Sequence, residues 1–370
     1  MFKRFLQRIL QKPITRLAER VSSSPVKKDV FSSLNTVLKE IRAGNKTEGV
    51  VIPYEINTGR FIVFSDQHKG TRDLADDFRL AEKNYLAALD YYFVNNFQFV
   101  NLGDAEELWE NTPDTVMKVN KTVLEAEVKF LQQNRYYKVF GNHDLEWKYP
   151  FQQMLYLKPV FGDGLKIYEG VELQTQYNNK TFSIFLTHGH QGDKKSDGNP
   201  FSTWVVAAIW TPIQRFLEVS INTPATSFEL TDAHNIIMYE WSATQKQLIM
   251  VSGHTHKPVF ASLDHIDRLT HQLQQAKALN DAVLVKKIEE ELTSRKKEYG
   301  GKKIVKSMAY PSYFNSGCCC FSDGDITGIE IEDGFMRLIK WETTDDNKVV
   351  RKILEESPLS YLFDQLPQDP

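Results

Sequence analysis

The sequence predicts an α/β protein, on three observations. Strand-like and helix-like apolar patterns alternate between residues 49 and 263. Asp66, Asp104 and Asn142 are spaced 38 and again 38 residues apart, the length of a strand–helix–strand crossover. Each of five short polar clusters stands where a strand-like run ends, and parallel strands joined by crossovers bring their C-terminal ends to one sheet edge, where sites form.

Taken in order, residues 60–65 (RFIVFS) read as a buried strand that runs into Asp66-Gln67-His68. Residues 74–95 carry Leu74, Phe78, Ala81, Tyr85, Leu89, Tyr92 and Phe93 at helical spacing. Residues 97–102 (FQFVNL) give the next strand and stop at Gly103-Asp104. Thr112 and Pro113 predict a helix start, with Thr112 as N-cap and Pro113 at the first helical position. Residues 136–140 (YYKVF) end at Gly141-Asn142-His143-Asp144. The strand-like stretches 180–186 and 247–251 lead to His188-Gly189-His190 and to Gly253-His254-Thr255-His256.

Two stretches break the alternation. Residues 194–244, with the apolar run 204–216 (WVVAAIWTPIQRF), are expected as a helical cap insertion. Residues 264–301 are highly charged, carry leucines and other aliphatics at near-helical intervals, and stop at Gly300-Gly301, which predicts a helical hairpin or arm. After Ile304 the pattern turns to β, and Asp333-Gly334 between two apolar runs is a hairpin signal. The main domain is therefore bounded at 46–345, with a basic N-terminal arm at 1–45 and a polar, mobile tail at 346–370.

Composition excludes some classes. With 41% hydrophobic and 25% charged residues, the 370-residue chain can build a core, and a net charge of −3 gives no general case for binding nucleic acid. No uninterrupted apolar run is long enough to span a bilayer. The three cysteines, contiguous at Cys318, Cys319 and Cys320, cannot build a disulfide framework, so a reducing, cytoplasmic home is expected. The triplet reads as a buried strand of small apolar residues in preference to a thiolate metal site, since no Cys-x-x-Cys spacing accompanies it. Near the N-terminus Lys3, Arg4, Arg8, Lys12, Arg16 and Arg20 face a single acid, Glu19, with Phe2, Phe5, Ile9 and Leu17 at roughly helical spacing. Two readings stay open: an interfacial helix on an anionic membrane, or an arm packed on its own domain, and Pro13 interrupts the helical pattern.

Six of the nine histidines fall inside the five clusters. Imidazole and carboxylate together suit zinc, manganese and iron, and a pair of adjacent ions makes a phosphoester-cleaving site. The alternative is a set of buried, hydrogen-bonded polar residues, or a metal site that only braces a scaffold. His234, His265 and His271 lie outside the clusters and are expected on the surface or in the cap.

The five clusters in this order resemble the signature of the calcineurin-like metallophosphoesterase superfamily: DxH, GDxx(D/E), GNH(D/E), a His before Gly, and GHxH. One such motif means little, but five in order over residues 60–257 are specific, and residues 313–341 also resemble the family's last strands. The resemblance implies two packed, mostly β sheets flanked by helices, an αββα sandwich with helical insertions. It implies one ion held by Asp66, His68 and His256, a second by Asn142, His188 and His254, and Asp104 bridging them. Manganese is the first expectation, with iron and zinc fitting the same donors. It further implies a phosphate ester or pyrophosphate as substrate, attacked by a metal-bridging hydroxide, and His143 at the leaving group with Asp144 orienting its imidazole. Glu107 is then expected to accept a hydrogen bond behind the ligands, Glu106 to face solvent, and His190 to hold its turn or to line the phosphate pocket.

The protein Ser/Thr phosphatase branch has GDxVDRG where this chain has Gly103-Asp104-Ala105-Glu106-Glu107-Leu108-Trp109, so that branch is disfavoured. The second motif and Gly253-His254-Thr255-His256-Lys257-Pro258 look more like the branch of the UDP-2,3-diacylglucosamine pyrophosphatases, whose apolar insertion receives acyl chains; residues 194–244 hold the corresponding place. His143 stands where that branch has Arg, and this chain is longer. The runs 204–216 and 264–301 read equally as plain packing and a solvated helical excursion. A catalyst and a membrane or assembly module on the same fold are the two classes carried forward.

Overall fold

The computed structural model describes residues 25–73, 76–192, 228–262 and 310–368, with scattered positions between 273 and 293. The elements, in chain order, are α1 (Lys27–Arg42), β1 (Gly49–Pro53), β2 (Phe61–Phe64), α2 (Phe78–Val94), β3 (Gln98–Leu102), α3 (Pro113–Val119), α4 (Lys121–Gln132), β4 (Tyr136–Val139), short helical turns from Leu145 to Phe161, β5 (Ile167–Tyr168), β6 (Gly170–Tyr177), β7 (Lys180–Thr187), α5 (Phe228–Ser242), β8 (Leu248–Ser252), β9 (Tyr313–Asn315), β10 (Ile326–Glu332), β11 (Phe335–Thr343), β12 (Val349–Pro358) and α6 (Leu359–Asp364).

The strands form two sheets, ordered β1-β6-β7-β8-β9 and β12-β11-β10-β2-β3-β4-β5. Alternation explains how they pack. In β2, Phe61 and Val63 point to the space between the sheets and meet Val171, Ile184, Leu186 and Val251 of the other sheet. Ile62 and Phe64 point outward, under α2 and α4, where Phe78, Tyr85, Leu89, Leu124 and Phe130 cover them. A four-residue strand with every side chain buried is what a sheet covered on both faces requires. The outer face of the first sheet is covered by α1 and α5: Val30, Leu34 and Ile41 pack with Phe185, Met238, Trp241 and Met250. The molecule is thus an αββα sandwich, as the motifs imply.

The crossovers fall where the spacing places them, and β2, β3 and β4 are parallel neighbours. So are β7, β8 and β9. The two-residue hairpin turn is found too, with Asp333 at φ 54° and Gly334 at φ 78° between β10 and β11.

Two boundaries need correction. The tail expected at 346–370 contains β12, which pairs along its length with β11, and α6, whose Leu359, Leu362 and Phe363 are fully buried in the inter-sheet core. Its polar composition belongs to an edge strand, which carries charge on its open side; Arg351 reaches inward to Glu330, with Oε2 at 2.9 Å from its Nε. The arm expected at 1–45 ends in α1, which belongs to the domain because its apolar face covers the first sheet. Residues 1–24, the apolar run 204–216, His265 and His271 lie outside the described residues. In the stretch 264–301 the described positions are helical, and Ile288 and Leu292 pack with Leu273 and Val285. Among the described residues no helix is long and apolar enough to cross a membrane.

Candidate metal centre

Five loops leave the carboxyl ends of β2, β3, β4, β7 and β8 and meet at the edge where the two sheets face each other. Asp66 and His68 follow β2, Asp104 follows β3, Asn142 and His143 follow β4, His188 follows β7, and His254 and His256 follow β8. Six of the seven expected ligand side chains come together, and the seventh, Asn142, is buried in the third loop with no hydrogen-bond partner for its side chain. Asp66 Oδ1 lies 3.2 Å from His256 Nε2 and 3.9 Å from His68 Nε2. Asp104 Oδ2 lies 3.1 Å from His188 Nε2 and 3.7 Å from His68 Nε2, so this one carboxylate oxygen faces an imidazole of each ligand set.

The backbone is bent to achieve this. Asp66, His68, Asp104, His254 and His256 all have φ between 47° and 68°, the left-handed region that costs a non-glycine residue about 1–3 kcal/mol. Such strain persists only where the surroundings enforce it, and here five candidate ligand positions carry it. The motif glycines matter through close approach. A Cβ on Gly141 would collide with the Asp104 carboxylate, and one on Gly253 with Asp66 and Ser65. Gly141→Ala is therefore expected to displace Asp104 and cut metal content, while circular dichroism stays native; metal analysis beside a spectrum checks it.

Several polar side-chain atoms here make no aligned hydrogen bond within the protein. Asn142 Oδ1 and Nδ2 and both ring nitrogens of His190 are buried without one. Each such group costs about 1–3 kcal/mol if left unsatisfied, so their gathering marks a place for a ligand. His68 Nε2 and His256 Nε2 face each other at 3.1 Å. Two imidazole nitrogens on one ion with bonds of about 2.0–2.1 Å would lie about 3–3.5 Å apart, so the pair fits a shared cation.

Neighbouring groups fix the tautomers. His188 Nδ1 donates to the Leu102 carbonyl at 2.9 Å, which turns Nε2 toward Asp104. His68 Nδ1 lies 2.9 Å from Glu107 Oε2, which leaves its Nε2 facing the carboxylates. Glu107 Oε2 is also 2.7 Å from His143 Nδ1, outside hydrogen-bond alignment, a close ion-pair contact. Burial would raise the Glu107 acid, but the charge on His143 and the contacts to both imidazoles hold it down to about 2. Burial likewise opposes ionisation of Asp104, and the charges of His188 and His143 override it and hold its carboxyl well below the usual range. His188, which burial would lower, is raised to about 9 by Asp104 and Asp66. His190 goes the other way: burial and the charge on His188 push it down to about 3, so it is neutral.

The structure corrects three residue readings. Asp144 does not face the His143 ring; it accepts from the amides of Gly141 at 2.6 Å and Ala105 at 2.9 Å, tying the second loop to the third. The carboxylate beside His143 is Glu107. Glu106 is fully buried, where Lys138 Nζ at 2.9 Å and Lys69 Nζ at 3.2 Å neutralise it and Trp147 Nε1 donates at 2.8 Å. His234 stands on α5, within the stretch 194–244 read as the cap, and is buried there, its Nε2 donating to the Gly189 carbonyl at 2.7 Å and its ring 5.0 Å from that of His254. The cysteine triplet is buried as expected, but in a loop after β9 and not in a strand.

Trp109 is a site residue that motif reading missed. Its ring stacks on His143, with centroids 4.0 Å apart and planes 19° apart, and its Nε1 donates to the Asn142 carbonyl at 2.6 Å. The signal was a tryptophan two positions after Glu107, in a loop where a large apolar ring has to pack on something.

Comparison with known proteins agrees with the loops. No protein of curated function matches the chain in sequence. Solved structures similar to it include a Vps29 single mutant from Entamoeba histolytica, 14% identical, covering 80% of this chain and 99% of that one at a TM-score of 0.28. Another is a protein described as a 5′-nucleotidase from Staphylococcus aureus, 12% identical, covering 81% of this chain and 54% of that one at a TM-score of 0.29. Residues 59–258, which contain all five loops, match the calcineurin-like phosphoesterase family, and the chain belongs to that family.

Proposed function

We propose that the protein is a phosphoesterase that works with two divalent metal ions and hydrolyses a phosphate ester or pyrophosphate. The observation that carries this reading is the meeting of six donor side chains from four loops, with Asp104 Oδ2 between the imidazoles of the two sets. Asp66, His68 and His256 would hold one ion and Asn142, His188 and His254 the other, with Asp104 shared. The ions supply an acidified water and neutralise charge on the phosphoryl oxygens.

The protein's own groups supply orientation and a proton. Glu107 and the Leu102 carbonyl turn the metal-facing nitrogens inward. His143 is 12% exposed at its side chain, and its amide donates to Asp104 Oδ1 at 2.8 Å. Stacked on Trp109 and facing Glu107, its ring is placed to donate a proton to a leaving group. His143→Ala is expected to keep its metals and lose about 10²–10⁴-fold in rate on substrates with poor leaving groups, with a smaller loss on activated esters. Loss of metal instead would remove His143 from this role.

A narrower reading is a lipid-linked pyrophosphate or diester of the UDP-2,3-diacylglucosamine type. It is favoured by Tyr149, Phe151, Met154 and Leu155, large apolar side chains that stay exposed within a dozen residues of His143 and could meet an acyl chain. The basic stretch 1–24 would suit an anionic membrane surface, and its removal, which leaves α1 intact, is expected to weaken sedimentation with anionic vesicles. The test of function is a substrate panel on manganese-loaded protein with nucleotide-linked lipids, cyclic dinucleotides, monoesters and a chromogenic diester. Turnover of any of them supports the enzyme. Full metal occupancy with no turnover on any of them favours a non-catalytic module.

A further inference from the structure

A metal-binding imidazole turns one ring nitrogen to the ion, and its other N–H is met from behind by an acceptor that fixes tautomer and ring angle. His188 and His68 follow this rule, with Nδ1 against the Leu102 carbonyl and the Glu107 carboxylate, each at 2.9 Å. His256 also turns Nε2 inward, 3.2 Å from Asp66 Oδ1 and 3.1 Å from His68 Nε2. Behind it stands a thiol: Cys320 Sγ lies 3.9 Å from His256 Nδ1. Sulfur is a weak acceptor, and its larger radius makes its hydrogen bonds longer than those to oxygen.

The thiol is held to the frame of the centre. It belongs to the loop that leaves β9 in one sheet and crosses to β10 in the other. Ser316 Oγ lies 2.7 Å from Ser65 Oγ, the Cys319 amide donates to the Asp66 carbonyl at 3.1 Å, and the Thr327 amide donates to the Cys318 carbonyl at 3.0 Å. These bonds tie the loop to the segment that carries Asp66 and His68. Cys319 turns away, its Sγ 3.8 Å from the Thr327 carbonyl, and joins the core under the helices. Cys318 borders the His256 ring as well. Cys320 is buried, so water competes little for the N–H it faces.

We infer that Cys320 is a positioning residue for His256. Its sulfur accepts a hydrogen bond from Nδ1–H, which aims the Nε2 lone pair at the ion shared with Asp66 and His68. The sulfur stays outside the coordination of that ion, because it faces the nitrogen on the far side of the ring. An aliphatic side chain would fill the same space and leave the Nδ1 proton without this acceptor. The inference rests on reading the loops as a metal centre.

Zinc alone is the probe, titrated into the full-length, reduced, metal-free protein in competition with a chromogenic chelator. Cys320→Ala is expected to weaken one zinc site by about 10-fold or more and to leave the other as in the wild type. Cys320→Ser has nearly the same volume as the alanine variant but keeps an acceptor, and is expected to bind zinc more tightly than it. Cys319→Ala is expected to match the wild type. Wild-type affinity in Cys320→Ala, equal affinity in the alanine and serine variants, or a loss seen in Cys318→Ala and not in Cys320→Ala overturns the inference and leaves the metal centre standing. Nitrogen NMR of the zinc-loaded wild type needs no variant: a proton on His256 Nδ1 is expected, and a bare or metal-bound Nδ1 overturns the inference. A sulfur-to-metal charge-transfer band with cobalt(II) would make the thiol a direct ligand and overturns it too. A wild type that binds no zinc overturns both the positioning role and the metal centre.

Discussion

Asp104→Asn is expected to abolish turnover and to lower metal content, with the fold intact. Two dications a few ångströms apart repel strongly, and a shared carboxylate offsets that repulsion; an amide has no net charge to do so. Asp104 is buried, its Oδ2 facing His188 at 3.1 Å and His68 at 3.7 Å and its Oδ1 accepting the His143 amide at 2.8 Å. The amide variant keeps the shape and can keep one oxygen as acceptor, so the loops have no reason to unfold. Several kcal/mol of charge stabilisation disappear, which is about 10³-fold or more in rate. Kinetics on any substrate that the wild type turns over, beside metal analysis of both proteins, reads the two effects separately. Unchanged turnover would remove Asp104 from the centre.

The largest effect on stability is expected at Glu106. Its carboxylate sits in a sealed network: Lys138 and Lys69 neutralise it, Lys69 also reaches Glu127 Oε1 at 2.6 Å, and Tyr136 donates to Glu127 Oε2 at 2.8 Å. All four charged side chains are fully buried. Glu106→Ala leaves Lys138 charged, buried and unpaired, and is expected to destabilise the fold by about 3–5 kcal/mol in urea or guanidinium unfolding. The same network predicts acid lability. Burial would raise the Glu106 acid, but Lys138 and Lys69 override it and hold it at about 2, below its ordinary 4.5. A depressed acid contributes stability that is complete above 4.5 and is lost as pH falls from there through about 2. The wild type is expected to lose stability over that window, and Glu106→Ala to show a flatter profile there.

These residues mark where the sequence is legible. The candidate ligands were legible because five ordered motifs resemble a family signature and the fold sets each at a strand end. Orientation within the loops was not. Glu106 and Glu107 are adjacent and alike, yet one turns to Lys138 and the other to His68 and His143. A signal existed: Lys138 lies within a strand with both faces covered, and a lysine there needs a carboxylate. Asp144 was assigned to the imidazole by adjacency, but its oxygens satisfy two backbone amides, which nothing in its residue type distinguishes. The edge strand β12 resembles a tail because an open edge and a solvated coil share a charged composition, and only the apolar Leu359, Leu362 and Phe363 that follow it hint at docking.

The most direct test of the account is the number of transition-metal ions per chain in the wild type, by elemental analysis after loading and exhaustive removal of free metal. Donors from five loops arranged on either side of Asp104 predict about two ions per chain, falling to one or none in Asp104→Asn. A wild type that never takes up more than about one ion per chain would contradict the two-ion centre on which the proposed chemistry depends.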